Sequence, residues 1–139
     1  MSILKLNRLK DFAPHLLSLL RVFAAGSFFT HGTMKLFGWP VPFEYPLNNM
    51  LYTAGILEVL GGLLLLVGLF TRPIAFVLSG LMAFAYFIVH AGNGFFPVLN
   101  HGEAAMLYCF VFLYFSAAGP GVWSLDALIG RRQGGNSLA

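Results

Sequence analysis

The sequence predicts an all-α protein: a bundle of four transmembrane helices, both chain ends cytoplasmic, with a short interfacial helix near the C-terminus. Three observations carry this reading. Of the 139 residues, 58% are hydrophobic and 9% are charged, against about 25% charged in soluble domains, so the chain cannot clothe a water-facing surface. Four apolar stretches approach the roughly 20 residues that a bilayer span needs. The loop charges then fall asymmetrically once the chain is threaded through a membrane.

The first span, 14–37, opens on Pro14, a residue suited to a first helical turn. The second runs over 48–70. The third, 73–91, opens on Pro73 after Thr71-Arg72. The fourth, 101–118, stops at Gly119-Pro120-Gly121. The stretch "WSLDALIGRR" is amphipathic, with Ser124 as N-cap and arginines at its end, and reads as a helix lying on the cytoplasmic leaflet. The chain thus divides into a basic N-terminal segment, 1–13, a membrane domain, 14–130, and a tail, 131–139, expected to be disordered. Lys5, Arg8 and Lys10 before an apolar run resemble the start of a signal peptide. Arg21 interrupts that run and its length is a full span, so retention is expected.

Lys5, Arg8, Lys10, Arg72, Arg131 and Arg132 all fall on one side of an even-spanning chain, which places both termini in the cytoplasm. Trp39, Phe43, Tyr45 and Tyr52 form an aromatic belt on the outer face and Trp123 marks the inner one. The basic residues are not interleaved with aromatics as a nucleic-acid surface requires, so no nucleic-acid partner is expected. Cys109 is the single cysteine, which excludes an intrachain disulfide or thiol relay. Spans one and two share a loose hairpin pattern with three and four.

The informative residues are the polar ones inside the spans. Glu58 interrupts an otherwise apolar run, and an intramembrane carboxylate marks a functional or pairing site. On a helical projection Gly55, Glu58 and Gly62 share one face, and small residues let such a face approach another helix. Arg21, Ala25, Phe28, Gly32 and Lys35 line a stripe of span one, with His31 at its edge. Ser79, Ala83, Tyr86 and His90 line span three; His101, Ala105, Tyr108 and Phe112 line span four. These stripes are expected to converge in the outer half of the bundle. Glu58 is expected to be held by Arg21 from below and by His31 or Lys35 from above, the guanidinium matching the carboxylate in bidentate fashion.

Bland readings stand beside these. The Glu58–Arg21 pair is equally a structural staple, and Lys35 a snorkelling interface residue. "NHGE" reads as a capping box with Asn100 as N-cap and Glu103 at N3. His31, His90 and His101 with a carboxylate are weak candidates for a metal site, since no tight ligand spacing supports one. A quinone slot is the other possibility: its carbonyls need donors, which Arg21, His31, Lys35, His90, Tyr86 and Tyr108 supply. The loop "AGNGFFPVLN" would form a flexible lid over the slot, and "GWPVPFEYPL" its opposite wall.

The segments "HGTMKLFG", "GILEVLGGLLLLVGLFTRP", "LNHGE" and "GPGVWSLD", in that order, resemble the DoxX family over residues 14–130. The resemblance implies a four-helix membrane protein. It links the chain to thiosulfate:quinone oxidoreductase and to membrane redox complexes that answer thiol stress, with metal handling and cargo reception among other relatives. It points to Arg21, Gly32, Lys35, Glu58, Thr71, Arg72, Asn100, Glu103, Gly119, Pro120, Gly121, Ser124 and Asp126.

The functional expectation is a subunit of a quinone-linked redox system in a bacterial or archaeal plasma membrane. Glu58, His31 and Lys35 are its candidate catalytic residues, and its partners are the lipid bilayer and other redox-complex subunits or a second copy. The alternative is a non-catalytic scaffold, carrier or metal-handling partner whose polar network is structural.

Overall fold

The computed structural model of the protein describes residues 7–136. A 3-10 turn, Asn7–Phe12, leads into α1, Ala13–Phe37. Helix α1 ends where Gly38 adopts φ 66°, and the Gly38 amide returns to Met34 O. Helix α2, Asn49–Val67, begins at Asn48, whose side chain accepts from Leu51 N at 2.9 Å, and ends at Gly68 with φ 70°. These are the ordinary chemistries of a helix start and stop.

Helix α3, Thr71–Ala85, continues as a π-helical segment, Tyr86–His90, and a 3-10 turn, Ala91–Asn93. A short helix α4, Pro97–Asn100, precedes α5, Glu103–Ala118. Helix α6 covers Leu125–Asn136, capped by Ser124 Oγ accepting from Ala127 N at 3.1 Å. All described residues in regular structure are helical. Three helical stretches are long and apolar enough to cross a membrane, 8–37, 49–67 and 71–93, with the shorter apolar α5 as the fourth.

Some boundaries differ from expectation: the second span ends at Val67 and the fourth opens at Glu103. The third span opens at Thr71 and not at Pro73, because the two foremost amides have a distant partner. Phe70 N and Thr71 N each donate to the Asp126 carboxylate, at 2.9 Å. Carboxylates are favoured at a helix N-terminus by the unsatisfied N–H groups and the helix dipole. Helix α6 runs to Asn136, and residues 137–139 lie outside the described residues. Arg131 holds it back, donating to Val122 O at 3.0 Å and to Ala127 O at 3.4 Å.

The helices form two tight antiparallel pairs, α1 with α2 and α3 with α5, joined more loosely to each other. In the first pair glycines set the spacing. A Cβ on Gly32 would lie 2.8 Å from Val59 N and 2.9 Å from Glu58 Cβ; one on Gly62 would lie 3.1 Å from Phe29 Cα. Gly32→Ala therefore has to push backbone away from backbone. It is expected to lower stability by about 1–3 kcal/mol in detergent unfolding. Gly80→Ala, where a Cβ meets nothing within 4 Å, serves as the control and is expected to be neutral or mildly stabilising.

Each pair is also closed by an arginine from its first helix. Arg21 of α1 donates to the last-turn carbonyls of α2, and Arg72 of α3 to Ser116 O and Ala117 O at the end of α5. Orphan carbonyls at a helix C-terminus are the natural acceptors for a cation. Between the pairs the centre is filled by rings. Phe28, Phe112 and Phe115 are buried, and the Phe28 and Phe112 ring centroids lie 4.8 Å apart, edge to face.

Candidate functional site

Glu58 is buried, and its partner is Lys35. Lys35 Nζ donates to both carboxylate oxygens, at 2.8 and 2.6 Å, with the two side chains 9% and 5% exposed. The Lys35 ammonium also stands 5.2 Å from the centroid of the Phe43 ring, a cation–π contact that ties the first loop to the pair. Lys35 therefore does not snorkel to the interface.

Arg21 is not the partner of Glu58. Its guanidinium, fully buried, donates to Pro120 O at 2.8 Å, Leu65 O at 2.5 Å, Leu66 O at 2.6 Å, and Trp123 O. The physical reason is register. Gly62 abuts Phe29, Gly32 abuts Val59 and Gly55 abuts Lys35-Leu36, so Glu58 lies opposite the last turns of α1. Arg21 lies nearer Leu65, seven residues farther along α2, about 10 Å at 1.5 Å per residue.

Arg21 and Asp126 belong to a basic end of the bundle, where the chain enters α1, turns from α2 into α3, and leaves α5. Ser18 Oγ accepts from Trp123 N at 3.0 Å, and Asp126 N donates to Gly68 O at 2.9 Å. Asp126→Ala removes two caps at once. It is expected to cost about 1–2 kcal/mol and to speed amide exchange selectively at Phe70 and Thr71. The buried Thr71 hydroxyl has no partner among the described residues, so it is the backbone amide that Asp126 holds.

At the opposite, distal end the expected single convergence separates into three groups. The first is Lys35–Glu58, between α1 and α2. The second sits on the seam between α1 and α5: Tyr108 OH donates to Ser27 Oγ at 2.7 Å, and the exposed His31 ring stands edge-on to Tyr108, centroids 6.0 Å apart. The third fastens the loop after α3. Asn100, 2% exposed, donates to Gly94 O at 2.7 Å and to Tyr86 OH at 3.2 Å. Tyr86 OH donates to Phe95 O, and His90 Nδ1 lies 3.1 Å from Asn100 O.

The groups stay apart because Phe28, Tyr108 and Phe112 fill the space between the helix pairs. The loop is accordingly a hydrogen-bonded cap with an apolar tip, Phe95 and Leu99 being 83% and 70% exposed.

The capping box does not form. Gly102 is the N-cap of α5, without a side-chain bond. Asn100 Oδ1 accepts instead from Gly102 N at 2.8 Å, while His101 takes φ 59° and stays exposed. The metal alternative lacks a ligand set: among the described residues no three His, Cys, Asp or Glu side chains are grouped to share an ion. Cys109 is half-buried, its carbonyl accepting from Ser79 Oγ at 2.8 Å.

Residue-level reasoning missed Ser27 as the Tyr108 partner, the Asn100 clasp and the Asp126 cap. Neither Ser27 nor Asp126 carried a local signal, their partners being 81 and 55 or more residues away.

Four apolar helices in two pairs, with a buried Lys–Glu bridge in one of them, define a small helical-bundle membrane protein. The DoxX family model matches residues 16–91. An uncharacterized protein of Haemophilus influenzae is 43% identical over 128 residues, covering 87% of this chain and 96% of its own length. A second from the same organism is 31% identical over 124 residues, 81% and 82% of the two chains. The chain belongs to the DoxX family. No solved structure matches it.

Proposed function

We propose that this protein is the quinone-handling subunit of a membrane redox system that oxidises thiosulfate, thiols or related sulfur compounds. In this reading it sits in a bacterial or archaeal plasma membrane with both termini cytoplasmic. The observation that supports the reading is the seam between α1 and α5. A cavity of about 250 Å³ there is lined by Ala24, Ala104, Leu107, Tyr108 and Val111, and Ala104 and Leu107 are exposed on the lipid-facing side. Ordinary ligand pockets measure about 300–1,000 Å³. A cleft slightly smaller than that takes one substituted ring and leaves an isoprenoid tail among lipids.

The polar groups sit where a ring needs them. Ala24, Ser27 and His31 lie on one face of α1, and Tyr108 supplies both cavity wall and hydroxyl. A quinone contributes the capacity to take up two electrons and two protons. Tyr108 OH, turning its one proton from Ser27 Oγ to a quinone carbonyl while Ser27 OH donates back to the phenol oxygen, and a His31 ring nitrogen can serve the two carbonyls. Lys35 and Glu58, which bridge one another, hold α1 in the register that presents His31. The single cysteine means that electrons from a sulfur substrate arrive through a partner subunit.

The competing reading, a non-catalytic scaffold, draws on the same bridge, since Lys35 and Glu58 satisfy each other. Quinone binding separates the two. Protein purified in mild detergent is expected to retain quinone on extraction and to bind decylubiquinone in a fluorescence titration. Tyr108→Phe and His31→Ala are each expected to weaken binding about 3- to 10-fold, as for the loss of one hydrogen bond. Absence of bound quinone, together with an affinity unchanged by either substitution, rejects the quinone reading in favour of the scaffold.

A further inference from the structure

We propose that the groove between the start of α1 and α6, at the basic end, binds the phosphate headgroup of an anionic phospholipid. The groove has a volume of about 670 Å³, and its lining includes His15, Val122, Trp123, Ala127 and Arg131. It lies at the other end of the bundle from the His31–Tyr108 pair and is independent of the quinone reading.

Charge selects the ligand. Arg131 stands on the groove wall, its guanidinium fixed by its bonds to Val122 O and Ala127 O. Its Nη1 makes no hydrogen bond among the described residues. No acidic side chain lines the groove. The adjacent Asp126 carboxylate already accepts from Phe70 N and Thr71 N, and the exposed Asp11 stands one turn before His15. Arg8, Lys10, Arg72 and Arg132 add positive charge at the same end. A guanidinium matches a phosphate in bidentate geometry, and the imidazole of His15 offers a second polar contact.

Apolar surface makes the ligand a lipid. Trp123 packs edge-on to His15, centroids 5.3 Å apart, and remains 54% exposed. Indole rings of this kind settle at headgroup level. On α6, Leu125, Leu128 and Ile129 are each at least 40% exposed, an apolar side for acyl chains beside a cationic rim. A soluble phosphate would leave Val122 and Trp123 in water. A zwitterionic headgroup would bring its own ammonium to Arg131.

The test uses the full chain in non-ionic detergent, titrated in native mass spectrometry with dioleoylphosphatidylglycerol or dioleoylphosphatidylcholine. The wild type is expected to prefer phosphatidylglycerol about fivefold, the contribution of one basic residue at an anionic surface. Arg131→Gln is expected to remove the preference and Arg131→Lys to retain most of it. Arg132→Gln, off the groove wall, is expected to leave it nearly intact. Unfolding midpoints of the variants separate loss of binding from loss of fold. Equal binding of both lipids by the wild type overturns the proposal, as does an Arg131→Gln protein that folds and keeps the preference. Occupancy by inorganic phosphate without any lipid preference overturns the assignment to a lipid.

Discussion

Glu58→Leu is expected to destabilise the protein by about 3–5 kcal/mol, the cost of leaving one member of a buried ion pair without its counter-charge. Lys35 is the group stranded. Its ammonium is 9% exposed and has Glu58 as its anionic partner, and α1 cannot shift to bring it to water while Gly32 and Gly55 are locked against α2. Lys35→Met is expected to cost a similar amount from the other side. The double replacement, Lys35→Met with Glu58→Leu, is expected to recover most of the loss, because apolar substitutes for a buried pair are often neutral or better.

The measurement is a double-mutant cycle on unfolding in mixed detergent micelles; two single losses of about 3–5 kcal/mol and a near-neutral double imply a coupling energy of about 5 kcal/mol or more. Additive single and double effects would show that the bridge does not couple the two sites. The cycle bears on function as well. On the proposed quinone reading, a purely architectural bridge means that the double variant binds quinone as the wild type does. If Glu58 exchanges protons with the seam, the double variant keeps affinity and loses quinone-dependent turnover.

Arg21→Met is expected to have the second large effect, at least about 3 kcal/mol. One guanidinium serves four carbonyls from two chain segments, Leu65 and Leu66 at the end of α2, and Pro120 and Trp123 after α5. Its removal takes the guanidinium from all four, Leu65 O keeping the Gly68 amide, in a site where Arg21 is 0% exposed. It also releases the turn that carries Asp126 to α3. Arg21→Lys is expected to recover only part of the loss, since a point ammonium cannot fork to four acceptors. Limited proteolysis within 119–125 checks the second consequence. An Arg21→Met protein with wild-type stability and an uncut turn would mean that the guanidinium does not hold the C-terminal segment.

The two predictions mark where sequence reasoning stopped. That Glu58 and Arg21 are buried and paired followed from their place in apolar spans, since a charge among acyl chains must find a partner. The choice of partner did not follow. A helical wheel fixes the face of a residue but not the sliding of one helix along another, and that sliding is set here by Gly32, Gly55 and Gly62 meeting backbone and side chains of the facing helix. A shift of two turns would have served the expected Arg21–Glu58 pair. The convergence of His31, His90 and Lys35 failed for a related reason: His31 is exposed beside Tyr108, and Phe28 and Phe112 already occupy the centre.

The sequence by itself determined the solvent of this protein, its four apolar helices, the Ser124 cap and the stop at Gly119-Pro120-Gly121, because these depend on composition and on contacts a few residues apart. Tertiary structure alone decided that Lys35 neutralises Glu58, that Arg21 and Asp126 fasten the C-terminal segment to the bundle, and that Tyr108 meets Ser27 beside an open cleft. These contacts join residues 23 to 102 positions apart. They depend on helix register and on the volume of the rings between the pairs, quantities that no local pattern of residues encodes.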